Sequence, residues 1–144
     1  MVLDLKSNKK LEDVHANLPS IPLDVIVSSS SMEPVELWNA FASNASTMDG
    51  KDLKFFILDA PAEDHLRYEE RIKFIRERTK PNNQVTLLEG TQCKDQHHLH
   101  TIPKETKKDM DKILLRHPNS HYYDPTSLQY IPLKVFLVQS TSKC

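Results

Sequence analysis

The sequence predicts an α+β domain, and three observations carry that expectation. Short apolar, β-branched runs recur at Leu23–Val27, Leu53–Leu58, Gln84–Leu88, Ile113–Leu115 and Tyr130–Val138. Apolar side chains at i, i+3, i+4 spacing mark helices between some of them. A length of 144 residues is enough for one domain with a real core.

The segment Met1 to Ala16 is polar and mixed and carries no strong structural signal, so residues 1–17 read as a polar lead-in and 18–144 as the domain. In Leu18-Pro19-Ser20-Ile21-Pro22 the residues before proline are pushed towards extended geometry, which feeds the first strand. Ser28–Ser31 is a loop. Glu33–Ala42 predicts a short helix with Leu37, Trp38 and Phe41 on one face. Asp49-Gly50 marks a turn before the strand Leu53–Leu58, which ends at Asp59-Ala60-Pro61. A helix over Leu66–Arg78 follows, with Tyr68, Ile72 and Ile75 on one face, Asp64 as its expected cap, and Pro81-Asn82-Asn83 as its stop. Pro103 is expected to open another short helix that includes Glu105 to Met110.

Composition excludes several classes. A formal net charge of −1 rules out a polycation, so any nucleic-acid contact must be a local patch. No apolar run approaches the ~20 residues of a membrane span, and Met1-Val2-Leu3-Asp4-Leu5-Lys6 is too acidic for a signal peptide. Two cysteines, Cys93 and Cys144, make no disulfide framework, which fits an intracellular, reducing compartment. Two glycines against nine prolines are few for a loop that cradles phosphate.

Several segments, in order, resemble the adenylation domain of ATP-dependent DNA ligases. Leu18 to Asp24 resembles the lead into that family's LDGE motif. Phe55-Phe56-Ile57-Leu58-Asp59-Ala60-Pro61 with Tyr68-Glu69-Glu70-Arg71-Ile72 resembles its YMVFDAP and FEERI segments. Thr91-Gln92-Cys93 with His98-Leu99 resembles the linking segment. Asp111 to Arg116, with Pro118, Asn119, Ser120 and Tyr122, resembles EGxMLRxPxSxY, and Thr126-Ser127 with Lys134-Val135-Phe136 falls where the family has RS and LLKxK. The resemblance implies a partial ligase-type nucleotidyltransferase domain of antiparallel sheets with flanking helices. It also implies ATP and Mg2+ as cofactors, nicked DNA as partner, and a nuclear location in a eukaryote. In that family a KxDG lysine is adenylated by ATP, carboxylates place the metal, an aromatic stacks on adenine, and lysines of the last strand neutralise the triphosphate.

The catalytic positions are altered. No KxDG occurs; Lys51-Asp52 and Lys94-Asp95 lack the glycine. LDGE reads Leu23-Asp24-Val25-Ile26, and EG reads Asp111-Lys112. Leu58 stands at the adenine-stacking position, with Phe55 and Phe56 close by. Pro132 replaces the first lysine of the last motif and Lys134 keeps the second. The vestigial nucleotide-binding candidates carried over from the resemblance are therefore Asp24, Phe56, Leu58, Asp111, Arg116 and Lys134, with no catalytic and no metal residue. The implied function is a fragmentary or degenerate ligase-family protein, inactive as this chain. The alternative is a non-catalytic binding or scaffold module with a protein partner over the altered cleft.

Other residues invite sharper readings beside plain ones. Cys93, His97, His98 and His100 suggest a metal, but match no familiar zinc spacing. Lys104, Lys107 and Lys108 lie beside Asp109 and Asp111, as on a solvated face. Arg71, Lys73, Arg76 and Arg78 alternate with Glu69, Glu70 and Glu77, the pattern of a charge-laced surface. Trp38 reads as core or interface plug rather than a base-stacking platform. Asp24 and Asp59 end strands, where they hold a ligand or bond turn amides. Arg116 reaches a phosphate, or else pairs with Asp111 or Asp124.

Overall fold

The computed structural model describes residues 9–43, 50–105, 112–123 and 128–132. A 3-10 turn over Lys9–Leu11 leads into α1 (Glu12–Ala16), and then β1 (Asp24–Ser29), α2 (Pro34–Ala42), β2 (Leu53–Asp59), α3 (Tyr68–Arg78), β3 (Val85–Leu87), α4 (Gln96–Glu105), β4 (Lys112–Arg116) and β5 (Leu128–Pro132) follow. The chain is mixed α and β, as expected. Among the described residues no helix is long and apolar enough to cross a membrane.

Strands β1, β2 and β3 form one sheet in that order, and β4 pairs with β5 in a second. The pairs β1–β2 and β4–β5 are antiparallel. Antiparallel pairing does not extend to the whole first sheet: β3 runs parallel to β2, with Phe55 opposite Val85 and Ile57 opposite Leu87. The reason is the connection. An α3 helix of 11 residues carries the chain back along β2, so the next strand starts from the same end.

Alternation along β2 builds the core. Leu53, Phe55, Ile57 and Asp59 are buried, while Lys54, Phe56 and Leu58 face the other way. Ile72 and Ile75 of α3 and Val85 of β3 complete the buried cluster. Each large apolar side chain buried there contributes about 1.5–3 kcal/mol. The segment read as unstructured also joins this core: Leu11 and Val14 are buried in it. Gly50 makes that contact possible, because a Cβ there would lie 2.5 Å from the Lys10 carbonyl oxygen.

Helix starts differ from expectation in two places. Asp64 does not cap α3; the Glu70 carboxylate reaches back to accept from the Arg67 amide at 2.9 Å. Glu36 does the same for Glu33 at the start of α2, at 3.1 Å. Pro103 does not open a helix but lies inside α4, whose start is held by Asp95 Oδ1 accepting from the His98 amide at 2.7 Å. The expected helical residues 106–110 and strand residues 133–138 lie outside the described residues.

Candidate functional site

Asp59 is the last residue of the buried stripe of β2, so its carboxylate enters the interior with 1% exposure. A buried charge must be paired and hydrogen-bonded. Here Oδ1 accepts from the Ala60 amide at 2.8 Å and from Arg71 Nε at 2.7 Å. Oδ2 accepts from Arg71 Nη2 at 3.0 Å and from Arg116 Nη1 at 2.8 Å. The Arg71 contact is bidentate, the strongest geometry for such a pair.

Arg71 itself is fully buried. It corrects the sequence reading, which placed it on a charged surface. The helix spacing explains its place: Arg71 is three residues after Tyr68 and four before Ile75, on the same stripe of α3. Its Nη1 donates to two carbonyls, Leu66 at 2.7 Å and Ser120 at 3.1 Å. The Tyr68 and Tyr122 ring centres lie 5.8 and 5.7 Å from its guanidinium carbon, and Tyr68 lies 5.0 Å from that of Arg116. The rest of the charged pattern on α3 behaves as expected. Arg76 pairs with exposed Glu89 at 2.7 Å and 3.0 Å, which holds the Glu89 carboxyl below its usual range.

The loop after β4 closes the corner. His117 to Ser120 turns on itself, with Ser120 Oγ and the Ser120 amide both donating to the His117 carbonyl. This presents the Pro118 and Ser120 carbonyls to the α3 N-terminus, where they accept from Glu69 and Tyr68 amides at 3.2 and 2.9 Å. Those amides have no partner within the helix, so the loop extends the cap that Glu70 begins at Arg67. Further on, the Tyr122 hydroxyl donates to Asp24 Oδ2. Asp24 lies opposite Asp59 across β1 and β2. Burial and the Asp24 hydrogen bond push the Tyr122 hydroxyl up to about 12. Burial raises the Tyr68 hydroxyl as well, against the opposing pull of Arg116.

A raised tyrosine pKa in the fold has a definite sign. Its stabilisation is complete below the ordinary value of 10.0 and is lost as pH rises from there through about 12. The melting temperature is therefore expected to fall over that alkaline window, and to fall less steeply in Tyr122→Phe. Equal pH profiles for the two chains would contradict the Tyr122–Asp24 assignment.

The structure thus brings two of the sequence candidates, Asp24 and Arg116, to one corner. Arg116 pairs there with Asp59, not with either carboxylate considered from sequence; Asp111 and Asp124 lie outside the described residues. Phe56 and Leu58 sit on the opposite face of β2, half-buried, with Phe56 level with Ile26 on β1 and Thr86 on β3. Asp111 and Lys134 lie outside the described residues. Sequence reasoning passed over Arg71 and Tyr122 as members of the corner. The signals were an arginine within an apolar helical stripe and a tyrosine just past a turn.

Chemically the corner is balanced, with two guanidinium groups against two carboxylates. Arg71 commits Nε, Nη1 and Nη2 to protein acceptors. Arg116 commits Nη1 to Asp59 and keeps 17% exposure. Among the described residues no group of three His, Cys, Asp or Glu is placed to hold an ion. Cys93 is exposed, with its thiol directed at the Asp95 carbonyl, and His98 Nδ1 accepts from the Lys94 amide. Trp38 is 56% exposed rather than core. No family model, no curated protein and no solved structure matches the chain.

Proposed function

We propose that the chain is a fragmentary or degenerate member of the ATP-dependent DNA ligase family, related to nick sealing in repair and replication but without catalysis of its own. One observation supports this reading above the rest. The segments that carry the resemblance meet at a single corner through Asp24, Asp59, Arg71, Arg116 and Tyr122, although Asp24 and Tyr122 are 98 residues apart in sequence. Independent similarity of short segments gives no reason for such a meeting.

The same corner supports the reading of a chain without catalysis of its own. Adenylation needs a lysine nucleophile and carboxylates free to place a metal. The chain offers no KxDG, and Val25 and Ile26 stand where the family has glycine and glutamate. The two carboxylates that do reach the corner are engaged, Asp59 by two arginines and Asp24 by Tyr122. ATP, Mg2+, nicked DNA and a nuclear location belong to this reading as family properties.

The test is incubation of the full chain with α-labelled ATP and Mg2+, followed by denaturation. The expected result is no label on the protein; a covalent AMP adduct would overturn the proposal. A second reading, a non-catalytic binding module, is favoured by a large apolar groove beside β1. ATP stabilisation that Lys134→Ala abolishes would speak for the nucleotide-binding reading over the module.

A further inference from the structure

Strand β1 is an edge of its sheet, bonded to β2 on one side only. Among the described residues nothing pairs with its outer backbone. A register shift at Asp24/Val25 confines irregularity to the strand's start and leaves Val25–Ser29 regular. No lysine and no proline interrupts these residues, so beyond the irregularity at its start the edge has no charged or proline guard.

Beside this edge the core opens into a groove of about 1160 Å³. Val25 and Val27 of β1, Phe55 of β2 and Leu37, Trp38 and Phe41 of α2 give it an apolar wall. Ile26, on the other face of β1, does not line it. Among the described residues the carboxylates Asp24 and Glu33 line the groove beside the titratable His15, and no lysine or arginine does.

We propose that the β1 edge and its groove bind an extended segment of another protein, apolar at alternate positions and basic at its ends, which adds a strand beside β1. The amides and carbonyls of this edge, which no described residue pairs, call for a polypeptide in β conformation rather than a small ligand or lipid. A strand beside β1 directs every second side chain into the groove. Flanking cations meet Asp24 and Glu33. A second copy of this chain is the poorer occupant, because its own β1 brings Asp24 and no cation. This inference does not depend on the ligase ancestry and survives its failure.

The test uses the full chain and a labelled, end-blocked Lys-Val-Ser-Val-Ser-Val-Lys peptide, followed by fluorescence anisotropy and by emission of the single tryptophan, Trp38. Saturable binding with a blue shift of Trp38 is expected. Replacing both lysines by glutamate weakens it about tenfold or more, and N-methylating alternate amides abolishes it. Trp38→Ala, at an exposed position that leaves the core intact, weakens binding about tenfold, while Ile26→Ala leaves it unchanged. Absence of binding, equal binding of the glutamate peptide, or full binding of the N-methylated peptide would each overturn the proposal. Concentration-dependent dimerisation that blocks the peptide would overturn it in favour of a second copy.

Discussion

Asp59→Ala will lower the unfolding free energy by about 3–5 kcal/mol in urea denaturation. The magnitude follows from what the substitution leaves behind. Arg71 has no exposure and cannot turn to water, so its charge stays buried without a counterion. Arg116 loses its Nη1 acceptor, but at 17% exposure it can relax into solvent and adds little. The Ala60 amide also loses its acceptor. A loss below about 1 kcal/mol, the range of exposed ion pairs, would mean that the corner is open to water.

Arg71→Ala is expected to cost a similar amount, about 3–5 kcal/mol, by the same denaturation measurement. It takes the bidentate partner from the Asp59 carboxylate, leaving it the Arg116 Nη1 and the Ala60 amide, and removes the donor that Leu66 and Ser120 carbonyls share. It also unties three elements at once, since Arg71 links the end of β2, the start of α3 and the loop after β4. Arg71→Lys separates charge from shape. An ammonium keeps the charge but cannot span both Asp59 oxygens while also reaching two carbonyls. We expect it to recover part of the loss and to remain about 2 kcal/mol below the parent chain. Full recovery would show that a point charge suffices and that the fork geometry carries no stabilisation.

Arg71 is also where sequence and structure part company most usefully. Its helix alternates acids and bases, which is the pattern of a wet face, and Arg76 with Glu89 bears that out. Yet its position relative to Tyr68 and Ile75 places it on the dry stripe, and position outweighs charge when a buried carboxylate waits at the end of β2. Asp59 carried a signal of the same kind, a carboxylate in step with Leu53, Phe55 and Ile57. Strands β1 and β2 and helices α2 and α3 were legible because their apolar periods run long enough to be unambiguous. The parallel placement of β3 was not, because strand direction depends on how α3 returns the chain. Leu11 and Val14 form too short a pattern to announce a helix, and only the approach of Gly50 to Lys10 shows why they are buried. The pairing of Arg116 with Asp59 spans 57 residues and has no local signal.

The central claim is that the corner where the ligase-like segments meet is a structural clasp rather than an open site. A double-mutant cycle on Asp59→Ala and Arg71→Ala tests it most directly, because the two buried side chains face each other in a bidentate pair. The account predicts that the double variant is more stable than the sum of the single losses implies, with a coupling of about 2 kcal/mol or more. Additive losses would contradict it, since they would mean that the two groups do not depend on each other and that the corner is not closed by their pairing.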